Sequence, residues 1–145
     1  MKILFILFFS LLMGCDMNTS NNSQEKEFIH VTGLQFKLLG PYAKIQETDQ
    51  GYIIYISPED SRQADQILVQ YRNEKPAHLE VVKEIDGQKI FYRESYDDGG
   101  SGGAETTLEL WKQTGQGQGV YIEHYRQTEG RTDFAGTWAV IVGAR

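Results

Sequence analysis

Ile85-Asp86-Gly87-Gln88 is the stretch that decides the fold of this 145-residue chain. Asp-Gly is a preferred pair for a type I′ turn, because both central residues of that turn need a positive φ. The segments on either side, residues 78–85 and 89–96, carry β-branched and aromatic residues in the period of a strand. Together these features predict an antiparallel β-hairpin.

Four further segments also read as strands, because β-branched and aromatic residues fill them and turn residues bound them. They are Gly51–Ile56, Ile67–Arg72, Thr106–Trp111 and Val120–Tyr125. The glycine-rich residues 115–119 join the last two as a second hairpin. Between the first two, the polar segment Pro58–Asp65 predicts a short helix, since proline is favoured at a helix start.

The C-terminal segment is open to two interpretations. Apolar residues recur at helical spacing from Phe134 to Val142, with Thr132 as the candidate N-cap and Gly143 as the candidate C′ residue. The β-branched composition of residues 138–142 instead favours a strand, and we predict a last strand. The fold class expected is therefore α+β, mainly antiparallel β, in a single sandwich-like domain with little helix.

The N-terminus has the layout of a secretory signal peptide. Lys2 is followed by an almost continuous apolar run, Ile3–Met13, which is too short for a permanent membrane span. The run ends in Leu12-Met13-Gly14-Cys15, which resembles the lipobox of bacterial lipoproteins. The resemblance implies that residues 1–14 are removed and that Cys15 carries a thioether-linked diacylglycerol. An ordinary signal peptide with an incidental cysteine is the alternative.

Residues 15–27 form the predicted lipidated cysteine and a flexible tether, because this segment is too polar to bury much apolar surface. Asp16 follows the lipidated position and resembles the signal that retains lipoproteins in the inner membrane, which implies a location on the periplasmic face. In the alternative, Asp16 only begins a polar linker. Residues 28–145 are then expected to form one globular domain.

Charge limits the partners of this domain. Without residues 1–14 the chain keeps 13 basic and 20 acidic residues, a net charge of −7. An acidic surface is a poor match for nucleic acid and suits a basic protein or a cation. Cys15 is the only cysteine, so the domain is expected to hold without an intrachain disulfide.

Motifs of catalysis are hard to find in this sequence. His30, His78 and His124 are isolated from one another and lack metal-ligand spacing, and His78 and His124 are expected at solvated positions of the sheet. No nucleophile elbow, Walker or Rossmann pattern occurs. We predict no enzyme, no cofactor and no metal site.

One segment indicates function, the glycine-rich connection between the strands that end near Tyr96 and begin near Thr106. Gly costs more entropy to order than any other residue, so a long glycine-rich loop stabilises poorly and suggests a binding role. The predicted partner-binding residues are Tyr96, Asp97, Asp98, Ser101 and Glu105. Two alternatives remain open: a solvated hairpin tip, and a calcium site that lacks the D-x-D-x-D-G order.

The pattern S-G-G-x-E-x-x-L-x-x-W at 101–111, together with the lipobox, the tether and the acidic β domain, resembles periplasmic immunity lipoproteins of type VI secretion. It is similar in particular to those that neutralise a peptidoglycan-cleaving muramidase. The resemblance implies a membrane-anchored protein without enzymatic activity. Its implied partner is a secreted cell-wall hydrolase, and the immunity protein is expected to occupy the substrate groove of that hydrolase. A weaker resemblance, from residues 33–38 and the two strands that follow, is to domains of the PsbP and Mog1 kind.

A second hypothesis is an envelope lipoprotein that binds a small ligand or assembles an envelope complex. Its binding face would be built from aromatic side chains, namely Tyr42, Tyr52, Tyr55, Tyr71 and Trp111. Aromatic residues at strand spacing also serve as core, so this hypothesis depends on whether the five side chains share one face.

Overall fold

The computed structural model describes residues 25–40, 42–57, 64–99, 103–127 and 133–145. Within these ranges the chain forms nine strands and one helix. The strands are β1 (Glu25–Ile29), β2 (Gln35–Leu39), β3 (Lys44–Thr48), β4 (Gly51–Tyr55), β5 (Asp65–Arg72), β6 (Val81–Ile85), β7 (Gln88–Asp97), β8 (Glu105–Gln113) and β9 (Gly119–Gln127), and the helix is α1 (Ala135–Gly143).

The strands form a seven-stranded sheet and a two-stranded one. The order in the large sheet is β3-β4-β5-β9-β8-β7-β6, and every neighbouring pair is antiparallel. β1 and β2 form the separate hairpin, and Arg145 pairs with Gln35 through two backbone hydrogen bonds at its free edge. The predicted sandwich-like, mainly antiparallel fold is confirmed.

The type I′ turn predicted at Asp86-Gly87 is present. Asp86 and Gly87 have φ values of 51° and 73°, as a type I′ turn requires, and Ile85 pairs with Gln88 across it. The other predicted strands are confirmed as β4, β5, β8 and β9. β6 begins only at Val81, because residues 73–80 form a separate loop.

Two strands were not expected from the sequence. β3 reads Lys-Ile-Gln-Glu-Thr and β1 reads Glu-Lys-Glu-Phe-Ile, so the apolar signal in each is confined to one or two positions. Strand β1 begins at Glu25, three residues before the predicted domain start at Phe28. Most of the helix predicted at 58–65 lies outside the described residues, and Asp65 itself begins β5.

The prediction of a C-terminal strand is wrong, because residues 135–143 form helix α1. The helix directs Phe134, Thr137, Val140 and Ile141 to the same side, where all four are buried. Helical spacing was therefore the better signal, and packing against the sheet outweighs the β propensity of valine and isoleucine. Helix α1 is short, and none of the helices in the described ranges could span a membrane.

We call the side of the large sheet that carries Ile54, Ile67 and Leu108 the covered face. The β1–β2 hairpin and α1 pack on it and form the main core with it. Phe28 and Phe36 of the hairpin stack with ring centroids 5.0 Å apart, and both rings make edge contacts with Tyr52 of the large sheet. This contact joins the two sheets.

Lys112 fixes the end of helix α1 to the covered face. Its side chain is buried, and its Nζ donates to the carbonyl of Val142 at 2.8 Å and to that of Ala144. A cation at a helix C-terminus satisfies carbonyls that have no partner within the helix. Burial lowers the pKa of Lys112.

We call the other side, which carries Leu68, Glu109 and Glu123, the open face. A smaller apolar cluster of Leu79, Trp111 and Tyr121 lies at one end of it, where residues 73–80 fold over the sheet. Over the remaining strands, half-exposed side chains face outward. The two faces of one sheet therefore have different surroundings.

Candidate functional site

The predicted partner-binding residues meet at the end of the β7–β8 hairpin. Asp97 pairs with Glu105 as the last pair of the ladder, and Tyr96 pairs with Thr106 beside it. Tyr96 is 50 % exposed, and Asp97, Asp98 and Glu105 are exposed as well. Asp97 and Glu105 lie on the open face, whereas Tyr96, paired with Thr106, lies on the covered side of the same hairpin. Four of the five predicted residues thus lie together at one hairpin end. The fifth, Ser101, lies outside the described residues.

The backbone at this end is closely folded. Gly99 and Gly103 have φ values of 56° and 91°, and a Cβ on Gly99 would lie 2.0 Å from the carbonyl oxygen of Gly103. Asp97 Oδ1 accepts a hydrogen bond of 2.9 Å from the Gly99 N–H. Glycine is therefore required here both for its φ and for the close approach of the two chain segments. We call Tyr96–Gly99 and Gly103–Glu105 the acidic hairpin end.

The acidic hairpin end is continuous with the open face. Tyr125 lies beside Glu105, and its pKa is raised first by burial and then by the hydrogen bond to that carboxylate. On the opposite side, Thr106 is buried next to Arg126 in the ladder. The acidic residues are thus attached to central strands of the sheet, which supports their position.

A buried polar relay lies on the covered face beneath α1. His124 Nε2 is 2.7 Å from Asp65 Oδ1, and His124 Nδ1 is 2.5 Å from Thr137 Oγ1. The carboxylate accepts from Nε2–H, so in the neutral ring Nδ1 accepts from the threonine hydroxyl. The prediction that His124 is solvated is wrong, because it is 4 % exposed.

Asp65 is the centre of this relay. Arg126 also donates to it, with Nε and Nη2 each 2.7 Å from Oδ2. Burial alone would raise the pKa of Asp65, but the hydrogen bonds from His124 and Arg126 lower it overall. Threonine, histidine and aspartate stand in the order of a hydrolase triad, yet Thr137 is 2 % exposed and its hydroxyl is bound to His124. These hydrogen bonds therefore hold β5, β9 and α1 together.

A second group of ionisable side chains lies on the open face. Glu109 and Glu123 stand directly opposite each other on β8 and β9. Both approach the hydroxyl of Tyr121, at 2.8 Å and 2.9 Å, and Glu109 also lies 2.7 Å from His78 Nε2. Burial first, and then these carboxylates, raise the pKa of Tyr121. His78 lies in the loop before β6 rather than in the strand where it was predicted.

One phenolic proton serves two carboxylates in this group. A hydroxyl donates a single hydrogen bond, so Tyr121 satisfies either Glu109 or Glu123 at one time. Like charges directly opposite each other in a ladder also destabilise a sheet. His78 Nε2 is hydrogen-bonded to Glu109, and the guanidinium of Arg72 lies 3.6 Å above the Tyr121 ring.

The five aromatic residues of the small-ligand hypothesis do not share a face. Tyr52 and Tyr71 belong to the covered side with Tyr42, whereas Tyr55 and Trp111 lie on the open face. Trp111 is buried at 3 % exposure, so it acts as core. In the described ranges there is also no group of three or more His, Cys, Asp or Glu placed to hold a metal ion.

An apolar groove of about 540 Å³ runs between α1 and the β1–β2 hairpin. Leu38, Ile67, Phe134 and Val140 line it, and the relay residue His124 lies in its wall. Nothing in the sequence indicated this groove, because its sides come from three distant segments.

The relay and the open-face carboxylates were also missed, although the sequence held part of the signal. In β9, Val120, Ile122 and His124 alternate with Tyr121 and Glu123. This period of two places His124 on the apolar side, which is a sign of burial. The partner Asp65 is 59 residues away along the chain, and no spacing rule connects them.

Comparison with known families settles the class of the protein. The sequence model of the type six secretion immunity 3 domain matches residues 41–145, which include β3 to α1. The chain belongs to the type six secretion immunity 3 family. It therefore carries a type VI secretion immunity domain.

Among solved structures, a protein from Bacteroides thetaiotaomicron VPI-5482 has a similar fold. The TM-score is 0.57 at 13 % identity, and the match covers 84 % of this chain. It covers 48 % of the other chain, so this protein spans about half the length of that relative. The likeness supports the fold alone. No curated protein sequence matches the chain.

Proposed function

We propose that this immunity protein neutralises a cell-wall-degrading toxin, of the muramidase kind, by inserting the acidic hairpin end into its substrate groove. The observation that carries the proposal is the acidic hairpin end itself. Three exposed carboxylates and a half-exposed tyrosine project from one hairpin whose glycines hold the backbone closely folded.

The physical argument is occupancy. A glycan-cleaving groove is lined by polar groups that bind sugar, and a loop that fills it excludes substrate without any chemistry of its own. Tyr96 supplies a rigid aromatic anchor, the residue type that most often dominates binding energy in protein interfaces. The acidic charge of the inhibitor accelerates its encounter with a basic toxin. We propose no enzymatic activity for the immunity protein.

We further propose that the protein acts at the periplasmic face of a bacterial membrane, held there by a lipid on Cys15, and that Asp16 favours the inner membrane. A toxin that cleaves peptidoglycan reaches its substrate in the periplasm, so an inhibitor anchored there meets it at high local concentration. Cys15 and Asp16 lie outside the described residues, and this part of the proposal rests on the lipobox-like sequence.

The binding proposal is tested with a type VI secreted peptidoglycan hydrolase as candidate toxin. Purified immunity protein is titrated into a peptidoglycan hydrolysis assay, and one equivalent should abolish the activity. Chitooligosaccharide, a substrate-like competitor, should weaken binding if the hairpin end occupies the glycan groove. Binding without inhibition, or inhibition unaffected by the competitor, would contradict occlusion of the groove.

The anchor is tested separately by growing cells with a clickable palmitate. The wild-type chain should take up the label, and Cys15→Ser should lose it completely. An equal signal from both chains would show that Cys15 is not the site of lipid attachment.

A further inference from the structure

The groove between α1 and the β1–β2 hairpin has the features of a ligand site. Its volume of about 540 Å³ lies within the range of small-molecule sites, and such sites are mostly apolar with a few polar groups. The wall contributed by β2 includes Leu39, which is 64 % exposed. β2 lies outside the range matched by the family model. One wall of the groove therefore comes from sequence that the family model does not include.

Helix α1 presents its smallest residues to the groove. Gly136, Ala139 and Gly143 stand one helical turn apart, line the groove and are exposed. A Cβ on either glycine would meet nothing within 4 Å. Two glycines in a nine-residue helix lower its stability relative to alanine, and in return they leave the groove wide along the whole helix, a length of about 14 Å.

The charges at the groove do not select an ion. Two acidic and two basic side chains line it, namely Glu25, Lys37, Arg126 and Asp133. Lys37 is paired with Glu25 at 2.8 Å, and Arg126 is paired with Asp65. A neutral apolar occupant therefore fits the groove better than a charged one.

The entry of the chain identifies a source for that occupant. Glu25 is the first described residue and itself lines the groove, so the segment that carries Cys15 joins the domain at this site. Nine residues lie between Cys15 and Glu25, and the ten steps of extended chain that join the two can span up to about 35 Å. A covalently attached group of this reach has a high effective concentration at the groove, far above that of a free lipid.

We propose that the groove holds one acyl chain of the lipid on Cys15. This inference rests on the lipidation put forward under the proposed function. An acyl chain held between α1 and β2 is shielded from water while the lipoprotein is not inserted in a bilayer. Transfer of that chain into the membrane then empties the groove and exposes Leu39 and the small residues of α1.

The test uses the mature lipoprotein, extracted in detergent from cells fed a diazirine-bearing palmitate. Irradiation should cross-link the acyl chain to peptides of α1 and β2, as mapped by mass spectrometry. Gly136→Leu fills the groove and should reduce this cross-link at least fivefold. Ala135→Leu, at an exposed neighbouring position that does not line the groove, is the matched control and should leave it unchanged.

Each other outcome overturns the proposal in a distinct way. Cross-links to detergent alone, or equal cross-links in Gly136→Leu with an unchanged melting temperature, would show that the groove does not hold the chain. Free diazirine palmitate, added at one equivalent to lipoprotein from cells without the label, could cross-link to the groove as strongly as the attached chain does. That result would assign the groove to an external lipid. A protein that takes up no palmitate at all would refute the anchor and with it the occupant, whereas the toxin-inhibition assay would be unaffected.

Discussion

The two faces of the large sheet each carry a histidine that contacts a carboxylate, and they use the pair in opposite ways. On the covered face, His124 and Asp65 lie in a fully paired relay in which every acceptor has a donor. On the open face, His78 contacts Glu109, but Glu109 and Glu123 share the one proton of Tyr121. The covered face is thus arranged for stability, and the open face retains an unfavourable pair of like charges.

This difference teaches where the molecule can change. Removing one member of a buried ion pair lowers stability, because the remaining partners stay buried without a compensating charge. A partly buried pair of like charges is stabilised by removing one charge. Substitutions on the covered face should therefore lower stability, and a substitution in the open-face pair should raise it.

The largest effect is expected for Asp65→Ala. It removes the acceptor of both His124 and Arg126 and should lower the free energy of unfolding by about 3–4 kcal/mol. Asp98→Ala, at an exposed position, should change it by less than about 0.5 kcal/mol. Chemical denaturation of both variants measures the difference, and similar values for the two would refute the structural role of the relay.

The pH dependence of the wild type provides the control for this prediction. Because the pKa of Asp65 is lowered by folding from 3.8, its contribution is present above that value and is lost as the pH falls through the lower folded value. Unfolding free energies measured between about pH 5 and pH 2 should fall more steeply for the wild type than for Asp65→Asn. Parallel curves would assign the acid sensitivity to other carboxylates.

Gly119→Ala should have the next largest effect, at the buried end of the open face. Its Cβ would lie 2.3 Å from the Lys112 carbonyl oxygen and 2.7 Å from ring atoms of Trp111, which cannot move without disturbing Leu79 and Tyr121. We expect a loss of about 2 kcal/mol.

Gly115→Ala is the matched control in the same hairpin, because its Cβ meets only Gln118 Oε1 at 4.0 Å. Thermal unfolding of the two variants should separate them clearly. A tolerated alanine at position 119 would mean that the indole is loosely packed and that the open face is softer than described.

The smallest effect is expected for Glu123→Gln, and its sign is opposite. It removes one of two opposed charges and leaves Tyr121 free to donate to Glu109, so stability should rise by about 0.5 kcal/mol. Glu94→Gln, at an exposed position on β7, should change little. A loss of stability in Glu123→Gln would show that the shared hydroxyl bond outweighs the charge repulsion.

Much of the sheet was predictable, because its central strands carry strong local signals. The Asp86-Gly87 turn and the period of two around Ile54 and Ile122 are written in neighbouring residues. β1 and β3 were not, since Phe28 and Ile45 are nearly alone as apolar residues in their strands. Helix α1 was misassigned because β propensity was given more weight than spacing.

The candidate site divides in the same way. The acidic hairpin end was predictable, since Tyr96, Asp97, Asp98 and Glu105 are close in sequence and the ladder brings them together. The relay was not, because Asp65 and Thr137 reach His124 from segments far apart along the chain. The groove depends on packing between β2 and α1, and it has no local signature.

The most direct test of the account is the affinity for the candidate toxin after charge reversal at the acidic hairpin end. Asp97→Lys combined with Asp98→Lys should weaken binding at least tenfold in calorimetry, because the new lysines would face the basic substrate groove of the toxin. Glu74→Lys combined with Glu80→Lys makes the same change in net charge at the opposite end of the sheet. This control pair should bind as the wild type does. Equal affinities for both double variants, with unchanged melting temperatures, would contradict the central claim that the acidic hairpin end binds the toxin.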